Sequence, residues 1–442
     1  MLRVLQLKEL NARMGALQLV TQDYSFETMP QWVSFTTTTF CNLRCLHCLT
    51  HGTEEARSLY NRQNWSDETL TRVAKESLPW AYEYCLTLNG EPLCTSRLKE
   101  KIEELAHYGA RLHITTNGTL FSKELLIRLL PLAGTIDISI DGATELTCET
   151  IRLGANFRKL LNNIRLLTRI CELLPSKINP NIGLVYTVMG STIKEMPEMV
   201  RLAHALKVPR VGFFPLIICY PHVRGEDLNL HKSLYNAYYE LTQKEGERLN
   251  LMVTMPDPFP DTEADANVPV RGDDLIIKEL PQNYYETLPS PESFLDYPAI
   301  ETKAAEIVAG TKQHLLDAKA VVGEVLIEEL RVQIQISFKA LLDRWKADLK
   351  RLAGRGGEKI RYCDNLFRRA FINIEGDVTP CCIPERPVLG NIYKNAIKEI
   401  WNGNLYNDFR KKFYSSDPPD CCKGCRFITY MSKQVFLNKV SE

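Results

Sequence analysis

The 442-residue chain has no surplus of either charge: Lys plus Arg and Asp plus Glu number 54 each. It therefore offers no basic field to hold nucleic acid or an anionic membrane surface. Nor does it have a long hydrophobic run. The longest, residues 211–220, is interrupted by Pro215 and falls well short of the roughly 20 residues of a spanning helix. The first ten residues carry charges and lack the apolar centre of a secretion signal. Without export, the 14 cysteines are expected in a reducing interior, bound to metal rather than paired as disulfides. The expected location is the cytoplasm. With 45% hydrophobic and 24% charged residues the composition is that of an ordinary globular protein, long enough for two to three domains.

The cysteines are not scattered evenly. Cys41, Cys45 and Cys48 stand at C-x3-C-x2-C, just past the apolar and threonine-rich stretch 33–40. Random placement of the 14 cysteines would produce this pattern roughly 0.014 times per chain. Thiolates hold iron–sulfur clusters, normally four to a [4Fe–4S] unit. Three at this spacing wrap one corner of a cubane and leave one iron open to a small molecule. Zinc closes its structural sites with four ligands, and His47 or His51 could complete such a set, so spacing alone leaves zinc open.

From about residue 33 to 250, short β-rich segments alternate with amphipathic helical stretches. The strands are expected at 33–38, 84–88, 111–116, 136–140, 182–188 and 211–216, and the helices at 66–77, 98–107, 123–130, 157–173 and 193–206. Ser66 and Ser122 precede helical stretches as N-caps, each followed by first-turn acids. Repeated alternation predicts a parallel α/β array. From 253 to 358 the alternation stops. A Pro-punctuated acidic stretch leads into a helical pattern from about residue 299 to 352. Leu315, Val322, Leu326, Leu330, Leu341, Trp345 and Leu349 are its expected buried positions, and Gly310 and Gly323 its candidate breaks. This block reads as a lid or an oligomerisation hairpin. Gly354 to Gly357 reads as a hinge into a separate module. The expected domains are 1–252, 253–358 and 359–442.

With its three-cysteine motif after the first strand, the chain resembles the radical S-adenosylmethionine (SAM) superfamily. The resemblance implies a partial (β/α)6 TIM barrel. It also implies that the open iron chelates the amino and carboxylate groups of SAM, and that the reduced cluster cleaves SAM to a 5′-deoxyadenosyl radical. Such a cofactor carries the hard chemistry while the fold positions it. One departure is His47, which stands where the family usually has an aromatic residue and would contact adenine through its backbone. Asn89-Gly90-Glu91-Pro92 resembles the family's GGEP motif. There Gly90 leaves room beside the methionyl ammonium and Glu91 supplies a carboxylate. Asn117 closes the third strand as a candidate SAM contact. Ser139 and Asp141 end the fourth strand on one face. Ser139 and Arg152 match family positions that bind the SAM carboxylate and ribose, which a planar guanidinium suits. Arg152 is expected to hold SAM without stabilising the fold. Leu216 is placed to pack on adenine.

A second cysteine constellation lies near the C-terminus: Cys363, Cys381, Cys422 and Cys425, around a β-hairpin at 370–381. It resembles the SPASM/Twitch module of many radical SAM enzymes, in the four-ligand form that holds a single auxiliary [4Fe–4S] cluster. Zinc fits four thiolates equally well by counting. Cys382 and Cys421 adjoin two of these ligands and are alternatives to them. Cys85, Cys94, Cys148, Cys171 and Cys219 read as core thiols.

A cluster with all four irons ligated suits electron transfer better than substrate binding. The resemblance therefore implies a radical SAM oxidoreductase that dehydrogenates a small polar metabolite, such as a sugar or aminocyclitol. The auxiliary cluster would accept an electron, and flavodoxin or ferredoxin would donate one. A peptide-modifying maturase is the alternative, although only about 32 residues precede the first strand, too few for a leader-binding domain. A redox-neutral epimerase is another, and a non-catalytic iron–sulfur or zinc protein is the reading from a different class. The same shortness leaves no room for a cobalamin domain before the barrel. Tyr186, His222 and Asp227 are the candidates for a general base.

Overall fold

In the computed structural model, the described residues are 2–22, 24, 27–59, 63–86, 88–260, 275–277, 287, 289–318, 359–382, 386–423, 425 and 428–432. In chain order the strands are β1 (Trp32–Phe35), β2 (Arg44–Cys45), β3 (Glu83–Cys85), β4 (Arg111–Thr116), β5 (Ala133–Ser139), β6 (Arg152–Leu153), β7 (Asn181–Val188), β8 (Arg210–Pro215) and β9 (Met252–Thr254). They continue with β10 (Lys359–Tyr362), β11 (Arg369–Ile372), β12 (Asp377–Thr379), β13 (Gly390–Asn391) and β14 (Thr429–Ser432).

The main sheet runs β13-β12-β11-β1-β3-β4-β5-β7-β8-β9. Every neighbouring pair from β11 to β9 is parallel, and helices fill the crossovers, as in an α/β partial barrel. The alternation that marks the strands has a packing cause. Leu112 and Ile114 of β4, and Ile136 and Ile138 of β5, are fully buried under the outer helices. Their alternates His113, Thr115 and Ser139 are half-buried on the other face. Ser66 and Ser122 cap their helices by accepting from Thr69 N and Leu125 N, as their positions predict.

All six expected strands are present, and two further parallel strands join them. β9 escapes sequence detection because its three residues are half-buried or exposed. β11 belongs to the expected C-terminal hairpin, yet the hairpin is not free-standing. It pairs in parallel with β1, from Trp32↔Arg369 to Phe35↔Ile372. One sheet thus crosses the boundary placed at residues 358/359. Trp65 Nε1 donates to Ile374 O at 3.0 Å, and Trp401 Nε1 to Thr28 Oγ1 at 3.1 Å, across the same junction.

Helix Leu2–Thr21 precedes β1. Its Asn11 side chain donates to Met29 O at 2.9 Å and accepts from Met29 N at 2.8 Å, fixing the entry into the sheet. In the 253–358 block, helix Tyr297–Ala318 lies outside the barrel, against helices Lys123–Leu129 and Phe157–Leu173. Lys123 pairs with Glu306 at 2.8 Å and Arg169 with Glu301 at 2.9 Å. This described part is a buttress on the barrel wall, not a lid. Gly310 does not break the helix: a Cβ there would stand 2.5 Å from Ile127 Cδ1, so the glycine permits close helix packing. The expected positions Val322, Leu326, Leu330, Leu341, Trp345 and Leu349, with Gly323 and the hinge at 354–357, lie outside the described residues, as does the side chain of Leu315. No described helix is long and apolar enough to cross a membrane.

Candidate functional site

The loops at the C-terminal ends of the parallel strands carry the three-cysteine motif. β2 pairs antiparallel with β6, setting Cys45 opposite Arg152, and Leu46 N donates to Ile151 O at 2.9 Å. This short ladder draws two distant motifs together. Burial pushes the Cys41 thiol up to about 12 and the Cys45 thiol up to about 11. Both need nearby positive charge to sit there as thiolates, which is what iron coordination supplies. Burial also raises Cys48, but hydrogen bonds from His51 and Thr50 outweigh it and bring that thiol down to about 7. The Cys48 Sγ lies 3.8 Å from His51 Nδ1 and 3.5 Å from Thr50 Oγ1. His51 is thus a hydrogen-bonding neighbour of Cys48.

Behind the loop, Asp141 is fully buried after β5. Its Oδ2 accepts from Arg152 Nη1 at 2.5 Å and its Oδ1 from Thr187 N at 2.9 Å. His47 Nε2 lies 3.6 Å from the same Oδ2. Burial raises the Asp141 carboxyl, but the Arg152 guanidinium outweighs this and holds it below the usual carboxylate range. Burial lowers His47. Two buried nitrogens here, Arg152 Nε and His47 Nδ1, have no hydrogen-bond partner among the described residues. Unsatisfied buried polar atoms are rare in native folds and mark places that a polar ligand can complete. They fit a cofactor that presents a carboxylate and hydroxyls beside the cysteine loop. Arg152 also departs from its expected role, because its ion pair with Asp141 is part of the fold's interior.

Glu91 departs further. Only 3% exposed, its carboxylate accepts from Thr116 Oγ1 at 2.5 Å, Asn117 N at 2.8 Å and Leu93 N at 3.2 Å. The carboxylate is consumed in tying the ends of β3 and β4 together. Asn117 in turn donates from Nδ2 to Asn42 Oδ1 at 2.8 Å, while its Oδ1 accepts from Thr119 N at 3.0 Å. Asn117 therefore holds the cysteine loop through Asn42. Gly90 adopts φ 79°, and a Cβ there would meet Thr38 O at 2.6 Å and Phe40 O at 2.8 Å. Its bareness serves the approach of two backbones. Ser139 ends β5 half-buried, two residues before Asp141.

Leu216 is buried against Ile151, Met189 and Val223, beside the Arg152 end of the site. Of the general-base candidates, Tyr186 is buried with its hydroxyl donating to Thr192 O at 3.0 Å. Asp227 caps a short helical turn through Asn229 N. His222 Nε2 lies 2.9 Å from Leu46 O and its ring stacks on Tyr220 at 5.4 Å. Tyr220 in turn donates its hydroxyl to Leu49 O. This pair clamps two carbonyls of the cysteine loop. Tyr220, Asn42 and Thr50 carry no motif of their own, and only the fold reveals their part.

The C-terminal cysteines converge. Cys363, Cys381, Cys421, Cys422 and Cys425 line one cavity, with Leu366, Pro380, Phe409 and Ile428 as its apolar wall. All four cysteines expected there line it, and Cys421 joins them. Cys382 does not line the cavity and is exposed. Burial pushes Cys363 up to about 11 and, with Cys421 beside it, Cys422 up to about 12. A convergent, apolar-walled set of thiols partly shielded from solvent fits a metal–sulfur group. Cys85, Cys148 and Cys171 are buried as core thiols, whereas Cys94 and Cys219 are half-buried.

Comparison with known proteins agrees with this geometry. Residues 35–203 match the family model of the radical SAM superfamily, and residues 363–426 match the SPASM iron–sulfur cluster-binding domain. Fe-coproporphyrin III synthase of Methanosarcina barkeri is 24% identical over 196 residues, 44% of this chain and 46% of the relative. AdoMet-dependent heme synthase of the same organism is 26% identical over 230 residues, 49% of this chain and 60% of the relative. The chain thus spans about half the length of the curated relatives it matches. Among solved structures, native anSMEcpe with bound AdoMet superposes with a TM-score of 0.50 at 16% identity, covering 90% of this chain and 87% of that one. That likeness concerns the fold.

Proposed function

Because the chain is a radical SAM protein with a C-terminal SPASM domain, its cofactors being SAM and two [4Fe–4S] clusters, we propose that it is an oxidoreductase that dehydrogenates a small polar metabolite such as a sugar or aminocyclitol. The observation that carries this reading is the second cysteine cavity. Five thiols line it, enough to ligate every iron of a cubane, and a fully ligated cluster is an electron relay.

SAM bound at the three-cysteine cluster supplies a 5′-deoxyadenosyl radical that removes one hydrogen atom from a substrate carbon. Cys41, Cys45 and Cys48 hold that cluster. Arg152 and His47 offer their unpartnered nitrogens to SAM, with Ser139 and Leu216 nearby. The Glu91–Asn117–Asn42 chain fixes the loop that positions it. Completion of the oxidation requires the substrate carbon to lose one more electron and a proton. Cys363, Cys381, Cys422 and Cys425 would hold a cluster that would supply the acceptor for that electron, with an external carrier such as flavodoxin or ferredoxin to reoxidise it. A carrier of the same class supplies the electron that starts each turnover.

Removing the auxiliary cluster should separate initiation from completion. With a panel of sugars and aminocyclitols, Cys422→Ala/Cys425→Ala protein is expected to form 5′-deoxyadenosine at near wild-type yield but little oxidised product. Because β11 and β12 join the barrel sheet, the variant's fold must be verified by circular dichroism. Full yield of oxidised product from a folded variant lacking this cluster would show that the cluster is structural and does not accept the substrate's electron.

A further inference from the structure

The auxiliary cavity contains a cation that the cysteine pattern does not explain. Arg386 lines it together with the five thiols. Its Nη1 donates to Cys421 O at 3.0 Å, which sets the guanidinium beside the thiols that line the cavity. Its buried Nε has no hydrogen-bond partner among the described residues. A second donor reaches one of these thiols: Asn365 Nδ2 lies 3.4 Å from Cys381 Sγ. The wall is otherwise apolar. A guanidinium partly withdrawn from water beside cysteines, with one buried N–H still unsatisfied, favours an anionic group in the cavity.

We propose that Arg386, assisted by Asn365, raises the reduction potential of the auxiliary cluster and so makes it an acceptor for the electron leaving the substrate. The physical basis is direct. Gaining an electron makes the cluster and its thiolates more negative, and a nearby cation and hydrogen bonds to sulfur stabilise that form. Low local dielectric strengthens both effects. One electron moves from the substrate carbon to the cluster, and the accompanying proton goes to solvent. The cluster is then reoxidised by the external one-electron carrier. Arg386 is in this account a positioning residue that acts through the cluster. The inference rests on the oxidative reading given above.

The test uses full-length protein in which Cys41, Cys45 and Cys48 are serine, leaving one cluster to be titrated by EPR-monitored potentiometry without substrate. Compared with Arg386, Arg386→Gln should lower the midpoint potential by at least about tenfold in the one-electron equilibrium, about 59 mV. Arg386→Lys, which keeps the charge but not the planar fork, should fall between them. Iron content should stay the same in all three. Equal midpoints in iron-loaded proteins would overturn the proposal. So would iron loss in Arg386→Gln combined with a wild-type midpoint in Arg386→Lys, since the residue would then merely retain the cluster. The readout separates this inference from the broader reading. Midpoints can follow the predicted order even if the reaction proves redox-neutral, and dehydrogenation can stand even if the midpoints are equal.

Discussion

Protein with Cys41, Cys45 and Cys48 replaced by alanine is expected to make no 5′-deoxyadenosine above background while keeping roughly four irons per chain, one cluster's worth. The two cysteine sets sit in different places. The first lies on the loop between β1 and β3, and the second lines a cavity built from residues 363–428. Losing the first set removes the iron to which SAM would bind but leaves the second set's thiols and their apolar wall intact. Iron analysis and product quantification under anaerobic, reducing conditions would check both halves. Reductive SAM cleavage by the triple variant would show that the wrong cluster has been assigned to SAM.

Arg152→Ala should cost about 3–5 kcal/mol of stability, the range for breaking a buried ion pair and leaving one charge uncompensated. The side chains of Arg152 and Asp141 are only 9% and 1% exposed. Asp141 would keep Thr187 N as a donor but lose its counter-charge. Chemical denaturation of the variant would measure the loss. Arg152→Met/Asp141→Asn should recover much of it, because both charges leave together. An unchanged unfolding midpoint with weakened SAM binding would return Arg152 to the role that its motif position alone predicts.

That contrast marks the limit of the sequence. The barrel strands were legible because one face of each packs under helices, leaving a local two-residue period in positions such as Leu112, Ile114 and Thr116. The cysteine sets were legible because their spacing is itself the chemistry. The partners of motif residues were not. Glu91 and Asn117 stand where SAM contacts are expected, yet each also ties to another loop, through pairings 25 to 75 residues apart in sequence. The parallel pairing of β11 with β1 joins segments more than 300 residues apart, and no local pattern encodes it. Helix Leu2–Thr21 was missed because its apolar residues are not confined to one face. Arg386 has no motif at all, and only the folded cavity brings it to the thiols.

The most direct test of the account uses the wild-type protein reconstituted with iron and sulfide, reduced with dithionite and given SAM without substrate. Carrying roughly eight irons per chain, two cubanes, it should release 5′-deoxyadenosine and methionine in equal amounts. Fully loaded protein that leaves SAM intact under these conditions would contradict the assignment of the three-cysteine loop as a radical-generating site.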